Sequence, residues 1–265
     1  MKKSTRLTFG AVACTLSTFL VQYASAEEIT GFVGAGVMYS PDYEGSDDYE
    51  FSPVGAARVE YSPYYIKTNE LGLHVNVSPF ETIEFGLSTN FRDGRDDGVE
   101  DATVLRLDEI DSAFEVGAFT RLKTSGVLHP TDELHFEVDI LWDVTGVHEG
   151  MVVRFGPGYD YSPTERLRLG AKLMAVWASD EFNDTYFSIN PDNATRSGLS
   201  EYEASAGLKN VSFGVSANYM FTDNWGVIGI VAYERLLGDA VDSPVVEDRG
   251  DANQFFLISG ISYHF

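Results

Sequence analysis

Apolar and polar residues alternate in stretches of about ten, again and again, from residue 28 to the end of the chain. Period two places successive side chains on opposite faces of a β-strand. Across 83–92, Ile83, Phe85, Leu87 and Phe91 fall on one face, and Glu84, Gly86, Ser88, Asn90 and Arg92 on the other. Residues 71–78, 134–144 and 211–221 repeat the pattern, and 166–177 and 255–265 do so with interruptions. Strands of soluble domains average about five or six residues. Ten tilted residues is the length that crosses a bilayer. The second face carries Glu, Arg, His and Gly, which the core of a soluble sandwich would reject. One apolar and one polar face fits a closed barrel with lipid outside and a polar lumen.

Composition narrows this further. The 265 residues hold 18 Lys+Arg against 41 Asp+Glu, a formal charge of -23. So acidic a chain has no electrostatic footprint for phosphate backbones, and nucleic acid is excluded as a partner. The single cysteine, Cys14, rules out an intramolecular disulfide and a CxxC metal site. Lys2, Lys3 and Arg6 open the chain, an apolar stretch runs from Leu7 to Val21, and Ala24-Ser25-Ala26 follows. This is the pattern of a Sec signal peptide cut after Ala26, with Ala24 and Ala26 as the small residues of the cleavage site. Residues 1–26 then leave and 27–265 form one domain with no cysteine, 15 basic and 41 acidic residues, and a charge of -26. No run of 18 apolar residues follows, so a helical span is excluded beyond the signal.

The connections are of two kinds. Ser62-Pro63, Ser78-Pro79-Phe80-Glu81, Ser162-Pro163-Thr164 and Thr222-Asp223-Asn224 are short; 40–50, 93–111, 179–210 and 237–252 are long. Outer-membrane barrels have short periplasmic turns and long external loops. Strands are expected near 28–39, 51–61, 64–69, 71–78, 82–92, 112–123, 132–144, 150–161, 165–178, 211–221, 224–236 and 253–265. The expected fold is all-β: a transmembrane, antiparallel up-and-down β-barrel of about 12 strands, with 10 as the alternative count. An even number returns both ends to the periplasm. The long loops hold 24 acidic residues against five basic ones, so most of the charge belongs to the external face.

The last strand ends Tyr263-His264-Phe265, with Phe265, Tyr263, Ile261, Leu257 and Phe255 on one face. A terminal aromatic after alternating apolar residues resembles the sorting signal that the barrel assembly machinery reads. Two further stretches carry a wider likeness. Residues 34–46, Gly-Ala-Gly-Val-Met-Tyr-Ser-Pro-Asp-Tyr-Glu-Gly-Ser, resemble the opening of the MltA-interacting protein (MipA/OmpV) family. Leu236-Leu237-Gly238-Asp239-Ala240, Asp242-Ser243-Pro244 and Asn253-Gln254-Phe255-Phe256 are similar to its C-terminal third. The resemblance covers essentially all of the mature chain. It implies an outer-membrane barrel of a Gram-negative bacterium, in contact with membrane lipid and lipopolysaccharide. It also implies a scaffold that brings a lytic transglycosylase and a murein synthase together, and no catalytic motif.

The inner face is expected to carry Arg58, Glu60, Glu84, Arg92, Glu115, Arg121, Glu137, Asp139, Arg154, Arg166, Arg168 and Lys172. Both signs in quantity give either an ion-pair network that fills the barrel or a narrow pore with charge rings. The five histidines, His74, His129, His135, His148 and His264, sit in no recognisable catalytic setting. The acidic run 93–101 fails as an EF-hand, with Arg95 at position three and Val104 at position twelve. No enzyme activity, metal or cofactor is expected. Tyr39, Tyr61, Tyr64, Tyr65, Trp142, Tyr159, Tyr161, Trp177, Tyr219, Trp225 and Tyr233 lie near strand ends and are expected in interfacial girdles. Three functions fit: a scaffold, a narrow porin-like solute channel, and a surface adhesin acting through the external loops. N-terminal sequencing of the membrane-extracted protein should begin at Glu27; a start at Met1 would refute the signal.

Overall fold

The computed structural model describes residues 29–265; Cys14, Ala24 and Ala26 lie outside the described residues. Hydrocarbon cannot hydrogen-bond an open sheet edge, so a strand protein in lipid must close. This one closes with twelve antiparallel strands, and β1 returns to pair with β12. The first half comprises β1 (Thr30–Pro41), β2 (Tyr49–Tyr61), β3 (Tyr64–Asn69), β4 (Gly72–Asn76), β5 (Ile83–Arg92) and β6 (Ala113–Ser125). The second comprises β7 (Asp132–Asp143), β8 (Met151–Thr164), β9 (Leu167–Ala178), β10 (Gly207–Met220), β11 (Trp225–Leu236) and β12 (Asn253–His264). Each strand pairs with its chain neighbours, as in an up-and-down barrel.

Most strand bounds fall within a few residues of the alternation. β10 is the largest departure, starting at Gly207 rather than 211. Its register shifts between Leu208 and Asn210, and Lys209 and Asn210 are both buried. That bulge breaks the alternation, so period two becomes visible only from Val211.

Val33, Leu87, Val215, Val231, Leu257 and Ile261 are exposed on the outer face, where lipid covers them. Tyr61, Tyr64, Trp142, Tyr219, Trp225 and Tyr233 are exposed near strand ends, as a girdle requires. Tyr65 is a correction: it is buried inside and donates its hydroxyl proton to Glu84 Oε2 at 2.6 Å. The strand parity sends Tyr64 out and therefore Tyr65 in.

The interior wall also departs from a uniformly polar lumen. Most of the charges stand on β5 to β9, with Arg58 and Glu60 on β2. The inward positions of β11, β12, β1 and β2 include Ile228, Ile230, Phe256, Ile258, Met38 and Val54, all half-buried. The interior is thus divided into a charged side and an apolar side.

The long loops fold. Helices α1 (Asp180–Phe187) and α2 (Pro191–Ser197) occupy the loop between β9 and β10, and α3 (Gly238–Asp242) and α4 (Pro244–Glu247) that between β11 and β12. The local signals are ordinary. Asn190 caps α2 by accepting from Asn193 N–H at 2.8 Å, Pro191 opens it, and Gly198 at φ 83° ends it. Ser243 and Pro244 do the same for the start of α4. The buried side chains Phe182, Phe187, Leu236, Val246, Val152 and Ala178 join α1 and the α3–α4 loop to the outer ends of β8, β9 and β11. A second cluster unites Tyr43, Val104, Leu107, Ile189, Leu199 and Val245 from all four long loops. Together they form a cap over the outer mouth.

Where β4 meets β5 the backbones approach closely. A Cβ on Gly72 would lie 1.8 Å from the Thr89 carbonyl oxygen. Gly72→Val should therefore cost about 1–3 kcal/mol, read as a lower urea midpoint in detergent; an unchanged midpoint would refute the tight crossing.

Candidate functional site

The charged half of the lumen is built by inward positions of adjacent strands, so the side chains meet in cross-strand registers. Arg121 and Glu84 face each other across β5 and β6, and Asp139 and Arg154 across β7 and β8. Arg121 Nη2 reaches Glu133 at 2.8 Å, His135 Nδ1 at 2.9 Å and Asp160 at 3.5 Å. Glu84 accepts from Lys123 Nζ at 2.6 Å as well as from Tyr65. Lys172 pairs with Glu137 at 2.9 Å, and Arg58 with Glu60 at 2.8 Å. Arg154 lies 3.6 Å from Asp139 and also pairs with Glu70 of the β3–β4 turn. Burying a charge is costly unless it is paired, and these are paired.

Two expected lumen charges stand at the end of the barrel, one of them off the lumen face. Arg166 sits in the β8–β9 turn, exposed, 3.5 Å from Asp223. The parity reading fails there because the strand has not yet begun. Arg168 faces inward but is 64 % exposed and only 3.6 Å from Asp160, at the open end of the barrel. Sequence reasoning missed Glu44, Glu70, Lys123, Lys209 and His148. Glu44 and Glu70 lie in turns, where no periodicity assigns a face.

The outer part of the network holds the cap. Arg92 donates to Glu115 at 3.0 Å and lies 3.5 Å from Glu44. Glu115 also approaches His148 Nε2 at 3.2 Å, and both side chains are fully buried. Lys209 pairs with Glu44. Between these cations lies Phe182 of α1, with Arg92 4.6 Å and Lys209 5.4 Å from its ring centre. Cation–π attraction and burial dock the helix on the charges beneath it.

Two clusters invite a chemical reading. His74 Nε2 and Ser88 Oγ both meet the same Asp139 oxygen, at 2.7 and 2.6 Å. A nucleophilic triad needs histidine between serine and acid. Here the acid lies between them, and His74, fully buried, stacks on Phe119 at 4.0 Å. Glu133, His135 and Asp160 lie close enough to share a metal ion, within 4.8 Å of one another. The Arg121 guanidinium already occupies that space, and a cation would have to displace it. In the 93–101 loop, Asp101 accepts the N–H groups of Thr103 and Val104 and pairs with Arg249.

The carboxyls in the cap respond to these partners. Burial works against an ionised Glu44, but the Lys209 ammonium and Arg92 guanidinium outweigh it and hold its pKa below the ordinary 4.5. Burial likewise opposes Asp101, and hydrogen bonds from Arg249, Val104 and Thr103 bring it below 3.8. Groups whose folded pKa is depressed contribute stability above the unfolded value and lose it as pH falls through the folded one. The cap's ion pairs are therefore complete above about pH 4.5 and weaken in acid. Amide exchange of 180–206, corrected for intrinsic rate, should show faster local opening at pH 3 than at pH 6. Lys209→Met should give the same opening at pH 6, about 3–5 kcal/mol for a buried pair broken on one side. Equal protection under all three conditions would refute this account.

Residues 33–265 match the family model described as MltA-interacting protein MipA. The MltA-interacting protein of Escherichia coli (strain K12) is 26% identical over 235 residues, 84% of this chain and 79% of that protein. The putative outer membrane protein YiaT of the same strain is 25% identical over 247 residues, 91% of this chain and 93% of its own length. Among solved structures, an outer membrane channel from Pseudomonas putida F1 superposes with a TM-score of 0.48 at 14% identity, over 91% of this chain and 97% of that one.

Proposed function

The chain belongs to the MltA-interacting protein family and lies in the bacterial outer membrane, and from that premise we propose that it is a non-enzymatic scaffold that docks peptidoglycan-remodelling enzymes on its periplasmic rim. The observation that carries the reading is a pair of adjacent, preorganised turns on the face with the short connections and both described chain ends. In the β6–β7 turn, Asp132 accepts the N–H groups of Val127, Leu128 and His129, each at 2.8 Å, and Leu128 is left 73 % exposed. In the β4–β5 connection, Ser78 Oγ accepts Phe80 N–H at 3.2 Å, and Phe80 is left 58 % exposed. The two turns are neighbours: Lys123 N–H donates to Thr82 O at 2.9 Å. Apolar anchors on rigid turns lose little entropy on binding. A standard interface needs about 800 Å² per partner, so the enzyme must span several turns. The relative named for its interaction with MltA supports a lytic transglycosylase as one such enzyme.

The cap supports this reading over a porin-like channel, because the external loops pack into ordered apolar clusters at the outer strand ends. The exposed Phe80 and Leu128 favour it over an adhesin, because they face the cell wall rather than the surroundings.

The test is co-purification of the full-length barrel, in detergent, with a membrane-bound lytic transglycosylase and a murein synthase of its own host. The wild type should retain them. Phe80→Asp with Leu128→Asp should reduce retention tenfold or more, since a central apolar anchor is worth about 2 kcal/mol and tenfold is about 1.4 kcal/mol. A wild type that retains neither enzyme would sink the proposal.

A further inference from the structure

The barrel wall has a gap. β3 and β4 are six and five residues long, against 10 to 14 for the other strands. At about 3.4 Å per residue they stop short of the 9–11 residues that cross a bilayer. β2 pairs with β3 only over Arg58–Tyr61, and β4 with β5 only over His74–Asn76. Beyond the hairpin tip at Glu70 and Leu71, β2 and β5 face each other with no strand between them among the described residues.

The edges of the gap are finished by side chains instead of a ladder. Ala57 N–H donates to Thr68 Oγ1 at 2.9 Å, and Leu73 N–H to Thr89 Oγ1 at 3.0 Å. Pro53 stands on the β2 edge, where a residue without N–H leaves no donor to satisfy. An opening finished in this way is built into the wall rather than frayed.

The gap contains a void of about 450 Å³, lined among others by Pro53, Val54, Glu70, Leu71, Leu73 and Phe114. Pro53, Leu73 and Phe114 stand on the lipid face; Val54 faces inward, and Glu70 of the turn reaches Arg154 of the inner wall. The void is therefore lined from both faces of the wall. Its depth is set by the outer aromatic girdle. Tyr39 stacks with Tyr49 and Phe51, at ring distances of 5.0 and 4.8 Å, one step outward from Pro53 along β2. The opening thus lies on the hydrocarbon side of the interface, in the outer leaflet. Behind it runs the apolar half of the lumen, with Val54, Met38, Ile258 and Ile230 half-buried. The medium at its mouth and the nearby inward residues of β2, β1, β12 and β11 are apolar, while Arg154 reaches the gap from β8. Glu70 is the one charged residue lining the void. It pairs with Arg154 and is 54 % exposed, so it can still accept hydrogen bonds.

We propose that this gap is a lateral binding site for a single-chain amphiphile of the outer leaflet, with the hydrocarbon tail between β2 and β5 and a hydroxyl or ammonium head donating to Glu70. The volume lies in the range of small-molecule sites, about 300–1,000 Å³. A carboxylate head is disfavoured. It would meet Glu70 as a like charge, and Arg154 is already engaged by Glu70 and Asp139. The site is independent of the periplasmic rim, and either proposal can fail without the other.

The experiment is photolabelling of the full-length barrel in liposomes with diazirine-bearing dodecylamine, dodecanol and dodecanoate, mapped by peptide mass spectrometry. The amine and the alcohol should label 53–55, 71–73 and Phe114 several-fold above Val215 on the opposite wall. Excess unlabelled dodecylamine should compete, and dodecanoate should label several-fold less. Gly55→Trp should abolish labelling of the gap without unfolding the barrel, because a Cβ there meets nothing nearer than 3.9 Å. Glu70→Gln keeps an acceptor oxygen and removes the charge, so it should lower amine labelling while sparing the alcohol. Labelling spread evenly around the wall, without competition, or untouched by Gly55→Trp would overturn the site. Dodecanoate labelling equal to that of the amine would overturn the assigned head group.

Discussion

A peptide group in hydrocarbon finds no partner but another peptide group or a polar side chain. Nearly every feature of this chain follows from that constraint. It forces the twelve strands to close, with β1 returning to β12 over Phe32–Tyr39. It also explains the side chains around the short β3–β4 hairpin. Asn76 Oδ1 accepts from Ser78 and Phe85 N–H, each at 3.2 Å, and its amide donates to the Pro63 carbonyl. Thr68 and Thr89 do the same work at the other end. Where the ladder stops, a hydroxyl or amide takes over.

Closure creates an interior, and the interior must then be made compatible with its contents. On the β5–β8 side, carboxylates and guanidinium groups alternate so that each buried charge has an opposite neighbour. On the β11–β2 side the middle of the wall is apolar, and its charges, Glu234 of β11 and the Arg58–Glu60 pair of β2, lie toward the strand ends. The cap is coupled to the charged side through Phe182, held between Arg92 and Lys209. The external loops are thus part of the same electrostatic network as the lumen.

How legible this was depends on whether a feature repeats. β5, with Ile83, Phe85 and Leu87 out and Glu84, Ser88 and Asn90 in, is read correctly because lipid and lumen impose one rule on every residue. The β10 bulge at Lys209 and Asn210 escaped because it breaks that rule. Asn190-Pro191 and Gly198 cap α2, yet its seven residues are too few to show a helical repeat inside the long loop 179–210. Arg166 was placed inside by parity carried one residue past the strand.

The sequence by itself determined the antiparallel barrel and narrowed its strands to 12 or 10, because alternation and turn chemistry are local properties. It also offered candidates for the inward charges. Only the tertiary structure decided which of them meet, because Glu44 with Lys209, and Glu70 with Arg154, are brought together by closure across 165 and 84 residues. It alone decided that the loops fold into a cap and that the wall opens above the short hairpin. Those features arise from where segments distant in the chain arrive in space, and nothing in a local pattern carries that information.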